Sequence, residues 1–195
     1  MQPVKTKTCT IADNCVTVNC QKVFESSPDL EFTAFAKLAF KHLNIDYPKF
    51  YKMDRLCKLG FLAAEYLFSN IEKHPPPDES AAIILSSSSG SLHSDMLHRK
   101  NIEQPGPAIF VYTLPSIVAG EIAIRHGIRG ETAFFICKND DDTIAMQYAT
   151  ELLTTKKANS SIAGWVDYSD TCYLARLSWI TNEKEPLLRR NDSTL

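Results

Sequence analysis

The sequence predicts a layered α/β fold, one sheet with helices on both faces. Three observations carry that expectation. Ala81-Ala82-Ile83-Ile84-Leu85 and Thr132-Ala133-Phe134-Phe135-Ile136-Cys137 are short, continuous apolar runs, as strands covered on both faces are. Each run enters turn chemistry, and segments with helical apolar spacing alternate with the strands. At 195 residues the chain can bury a full core, and the length favours one domain, expected over 1–181 with a polar tail over 182–195.

Taken in order, Cys15-Val16-Thr17-Val18-Asn19-Cys20 alternates as a half-buried strand does. Ser26-Ser27-Pro28-Asp29 supplies turn and helix-start residues, and Phe32, Phe35, Leu38, Ala39 and Leu43 then recur at helical spacing until Asn44 and Pro48. Asp54 is placed to cap a second helix with a broad apolar stripe, Leu56, Leu59, Ala63, Ala64, Leu67 and Phe68, ended by His74-Pro75-Pro76-Pro77. The Ala81 to Leu85 strand enters Ser86-Ser87-Ser88-Ser89-Gly90-Ser91, read as a turn, and a polar helix follows near Leu92 to Lys100. After Pro105-Gly106-Pro107, the run Ile109-Phe110-Val111-Tyr112 reads as a strand. Pro115 opens a helix through Ile117, Val118, Ile122 and Ile124 that Gly127 or Gly130 stops. The Thr132 run is expected as a buried strand, with Asp140, Asp141 and Asp142 at the start of a helix to about Thr155. Ser160 to Val166 and Cys172 to Leu177 read as closing strands.

Composition excludes several classes. A formal charge of −2 from interspersed acids and bases lacks the basic excess of a nucleic-acid binder. No apolar run approaches the roughly 20 residues that span a bilayer, and no signal-like segment opens the chain. The six cysteines, at 9, 15, 20, 57, 137 and 172, form no CxxC pair, so free thiols in a reducing cytoplasm are expected, and no cofactor or metal.

Three motifs then occur in one order. Tyr51-Lys52-Met53-Asp54-Arg55 precedes the long helix, Ser86 to Ser91 follows a strand, and Pro115-Ser116-Ile117-Val118-Ala119-Gly120 precedes Gly127-Ile128-Arg129-Gly130. Together they resemble the N-terminal half of a β-ketoacyl-acyl-carrier-protein synthase, over roughly Tyr47 to Asp167. The resemblance implies a thiolase-like, three-layer α/β/α half with a mixed, mainly parallel sheet. It implies an acyl-accepting cysteine nine positions after the last glycine of the Gly-Ile-Arg-Gly turn. Here that position, counted from Gly130, is Asn139. Catalytic histidines of such synthases come from a C-terminal half, which this chain is expected to lack.

Cys137 lies two residues earlier, on the strand, displaced from the nucleophile position. Three aspartates at the helix start satisfy the positive dipole end and repel a thiolate beside them, Lys138 offsetting part of this. Asn139 itself reads as a helix cap. The remaining candidates read blandly. The Ser86 to Ser89 turn lacks a phosphate-loop pattern. His93, Asp95 and His98 lack metal-ligand spacing. His42, His74 and His126 read as surface imidazoles, and Phe110, Tyr112, Phe134 and Phe135 as core.

The expectation is therefore a degenerate, noncatalytic synthase-like protein of fatty-acid- or polyketide-type biosynthesis. It would pair with a ketoacyl synthase chain, or with itself, through Thr132 to Ile136, and meet an acyl carrier protein. The alternatives are an acyltransferase component that uses Cys137 with a partner chain, and a small-molecule binding module with a closed apolar pocket.

Overall fold

The computed structural model describes residues 3–69, 79–100, 110–138 and 140–182. The proline run at 75–77, Pro105 to Ile109, Asn139 and residues 183–195 lie outside the described residues.

Seven strands form one sheet in the order β3-β2-β1-β7-β6-β4-β5. β1 (Pro3–Ala12), β2 (Cys15–Val18) and β3 (Gln21–Glu25) make an antiparallel meander at one end. β4 (Ala82–Ser87) runs parallel to both β5 (Thr132–Ile136) and β6 (Ser160–Tyr168), and β7 (Tyr173–Asn182) is antiparallel to β6 and β1. The sheet is mixed, as expected, but antiparallel pairings outnumber parallel ones. Short turns between β1, β2 and β3 and between β6 and β7 force antiparallel neighbours, since parallel ones need a crossover.

β1 has no counterpart in the sequence reading. Its inward positions Cys9 and Ile11 are wholly buried, yet Lys7, Thr8 and Thr10 around them dilute the apolar signal. Asn19 and Cys20, read as the end of a strand, take left-handed backbone (φ 49° and 63°) and turn β2 into β3.

One face of the sheet carries α1 (Phe32–His42), α2 (Arg55–Phe68) and α4 (Ile117–His126), and the other carries α5 (Thr143–Thr154). α3 (Leu92–Lys100) follows the serine turn, where the sequence predicts it. Asp54 Oδ1 accepts the Cys57 N–H at 2.8 Å, so α2 starts at the expected cap, and its Leu56, Leu59, Leu62, Ala63 and Leu67 are buried. At roughly 1.5–3 kcal/mol for each large side chain, this stripe is a main driver of the fold. Gly127 closes α4 with φ 67°, where a Cβ is disfavoured.

Two expectations fail in their burial. Phe110 and Val111 sit in a helical turn and are 60% and 46% exposed, so they are neither strand nor core. Thr113 N–H and hydroxyl both donate to Phe110 O, which closes that turn against the strand propensity of its residues. β5 is the last strand of the sheet instead of a buried one. Phe134 packs on one core cluster and Phe135 on the other, but nothing described covers its outer edge.

Candidate functional site

The serine turn, the β5–α5 turn and the end of β6 come together where the parallel strands β4, β5 and β6 finish, the end at which open α/β sheets place their sites. β4 delivers Ser86 and Ser87, both wholly buried. Ser86 Oγ donates to Gly164 O at 3.2 Å, tying β4 to β6. Gly90 turns the loop at φ 54°, and a Cβ there would lie 2.9 Å from Ile136 Cδ1, so the loop packs directly on the end of β5.

Asp167, which the sequence reading passed over, organises this loop. Its Oδ1 accepts Ser87 Oγ at 2.5 Å, Ser88 N at 3.0 Å and Ser89 N at 2.8 Å. Its Oδ2 accepts Ser88 Oγ at 2.9 Å and Ser89 Oγ at 3.4 Å. The turn is thus an anion-holding nest whose anion is a carboxylate of the same chain. That is the physical reason it is no phosphate cradle. Both backbone donors aimed into it are already spent.

Cys137 follows β5, half-buried, and its N–H donates to Ser87 O at 2.9 Å. The predicted nucleophile position, Asn139, lies outside the described residues. Beyond it, Asp141 Oδ1 accepts the Thr143 N–H at 2.8 Å just ahead of α5, whose N-cap residue Asp142 makes no capping bond of its own. Hydrogen bonds with Thr143 hold the Asp141 carboxyl below the ordinary range. Asp140 and Asp142 are not unpaired charges. Arg176, reaching across from β7, donates to Asp140 Oδ1 at 2.8 Å and to Asp142 Oδ2 at 3.1 Å. The repulsion expected of three aspartates is therefore partly cancelled by a residue far along the chain. An alternating strand residue such as Arg176 gives no sequence signal for this.

His93 and His126 are largely buried beside carboxylates, which corrects their surface reading, whereas His42 is exposed as expected. His126 Nε2 lies 3.2 Å from the buried Glu65 Oε1, His93 Nε2 lies 3.2 Å from Asp170 Oδ1, and their side chains are 15% and 14% exposed. His42 Nδ1 lies 3.1 Å from the Tyr66 hydroxyl, and His98 packs on Phe110. His74 lies outside the described residues. Among the described residues no His, Cys, Asp or Glu group is arranged to hold a metal ion, and no helix is long and apolar enough to cross a membrane.

The strand expected to pair, Thr132 to Ile136, is one of the two edges of the sheet, β3 being the other. Ile136 is 61% exposed at its end, and Leu114, next to the Pro115 that packs on Gly90, is 57% exposed. Leu92 and Met96 of α3 are also exposed.

No protein-family model and no curated protein matches the sequence. Solved structures do. The chain is similar to the ishigamide ketosynthase/chain length factor, with a TM-score of 0.69 and 15% identity over 93% of this chain and 62% of that one. It is similar to a ketosynthase solved with its chain length factor from Xenorhabdus doucetiae, with a TM-score of 0.57 and 13% identity over 94% and 80%. A β-ketoacyl synthase from Burkholderia phymatum STM815 aligns with a TM-score of 0.63 and 13% identity over 93% and 59%. The chain thus spans about three fifths of the length of the first of these. It has the thiolase-like fold of the ketosynthases, as the Pro115 to Gly130 motifs implied.

Proposed function

We propose that this chain is a noncatalytic, ketosynthase-like subunit of fatty-acid- or polyketide-type biosynthesis that pairs with a ketosynthase chain through β5. The observation that carries the reading is the open edge of β5 beside the exposed Ile136 and Leu114. An unpaired apolar edge is a template for a further strand, and proteins ordinarily cover it. The spent donors of the serine turn and the Arg176 pairs at the helix start support a turn built for structure.

A basic face supports the accompanying acyl-carrier-protein partner. Lys37, Lys41 and Lys52 are exposed on α1 and the 3-10 turn Pro48–Lys52, near Lys58 of α2, while Lys49 of the same turn is paired with Glu121 at 2.8 Å. Lys58 sits below the ordinary lysine range, chiefly through burial, with Lys37 and Arg55 adding like-charge repulsion. Such a face favours an acidic surface.

Light scattering of the chain mixed with a full-length ketosynthase from the same locus tests the pairing. A one-to-one complex is expected, weakened at least about tenfold by Ile136→Lys. The substitution is at an exposed side chain and leaves the fold intact. No complex, or a complex indifferent to Ile136→Lys, would refute pairing through β5. Intact-mass analysis of the same mixture with an acyl-carrier-protein thioester separates the competing role of Cys137: an adduct lost in Cys137→Ala would make the chain an acyltransferase component.

A further inference from the structure

A cleft at the other side of the sheet has no part in that pairing. The β1–β2 turn (Asp13, Asn14), the approach to α1 (Glu31, Phe32), Arg55 and the β6–β7 hairpin from Tyr168 to Tyr173 enclose about 480 Å³. That volume falls in the range of small-molecule sites. The cleft leaves the β5 edge free: its β6–β7 side stands two strand spacings, about 10 Å, from β5, and its β1–β2 side four, about 19 Å.

Phe32, Tyr168 and Tyr173 line the cleft as one aromatic group, with ring centroids 5.1 Å and 4.7 Å from Phe32. Its charges are unequal. Asp13, Glu31 and Asp170 face a single cation, Arg55. That guanidinium is already engaged: Nη1 donates to the Tyr168 hydroxyl at 2.7 Å and lies 3.5 Å from Asp170 Oδ1, and Nη2 lies 3.1 Å from Glu31 Oε1. The other basic group at the rim, His93, also lies against Asp170. Asp13, exposed in a left-handed turn, makes no ion pair among the described residues.

We propose that this cleft binds a small organic cation, an ammonium or guanidinium carried on a flat apolar body. A second positive charge between Asp13 and Asp170 would correct the deficit, while its body lies on Tyr173, the half-buried ring of the three, which Phe32 and Tyr168 back from the core. An anion would meet three carboxylates and an arginine already paired with two of them. The chemistry of the lining selects against phosphate and carboxylate ligands.

Titration of the ¹⁵N-labelled chain with phenethylammonium, and separately with 3-phenylpropionate, followed by amide shifts at about pH 8 and low salt, is the test. Saturable shifts at residues 13–14 and 168–173 are expected for the ammonium, with Kd near about 1 mM, and none for the carboxylate. Asp13→Asn with Asp170→Asn should raise Kd about tenfold or more. Both positions are exposed, and asparagine accepts the backbone of residue 13, so the fold persists. No saturable shift up to about 10 mM, an equal response to the carboxylate, or unchanged binding by the double variant would overturn the proposal.

Discussion

Asp167 accepts hydrogen bonds from three serine hydroxyls and two backbone amides, so its removal strands several donors at once. Asp167→Ala should cost about 3 kcal/mol, and Asp167→Asn, which keeps one acceptor oxygen, about half as much. Urea denaturation with an unchanged m-value would report this, and a loss under about 0.5 kcal/mol would show that water replaces the carboxylate. Glu65 makes a second residue-scale prediction. Burial, the largest single influence, pulls its carboxyl up, but Arg125, which donates to it at 2.8 Å, and the adjacent His126 together set it below the ordinary 4.5. A depressed folded-state value means that this contribution is complete above about pH 4.5 and is lost as pH falls through the folded value. Glu65→Gln should lower stability near neutral pH and flatten the acid limb of thermal melts below about pH 4.5, and an unflattened limb would contradict the pairing. Of these residues the sequence exposes only the serines, because neither Asp167 nor Glu65 lies near its partners along the chain.

Helices α2 and α4 meet where Gly60 has no side chain. A Cβ there would lie 2.4 Å from Val118 Cγ1 and 3.5 Å from Val166 Cγ1. Alanine gains about 1 kcal/mol in helix propensity, while overpacking against a stiff, branched side chain costs about 1–3 kcal/mol. Gly60→Ala should therefore destabilise the fold by about 1 kcal/mol in equilibrium unfolding; a stabilised variant would mean that the two helices move apart freely. Elements with a strong period were legible: α2, with its Asp54 cap, and the continuous apolar strand β4. β1 and β3 were not, since an edge meander needs few apolar residues, and the β3 burial pattern is almost wholly exposed. At 110–112 aromatic and branched residues suggested a strand, but the local turn and exposure prevailed.

At the scale of the whole molecule, the apolar content of β5 and its position in the sheet answer different questions. Alanine and phenylalanines at 133–135 are apolar because helices cover both faces of the sheet, whereas the free outer edge follows from strand order alone. The Ile136→Lys experiment belongs here, because it tests an edge that no single residue creates. The turn between β5 and α5 joins both kinds of information. By itself the sequence determined the alternation of strands and helices, the Asp54 cap, and the motifs from Pro115 to Gly130 that resemble a ketosynthase, since periodicity and turn chemistry are local. Only the tertiary structure decided that Asp167 fills the serine turn, that Arg176 pairs with Asp140 and Asp142, and that β5 ends the sheet. Those contacts join residues 34 to 80 positions apart, and nothing in their own neighbourhoods along the chain selects the partner.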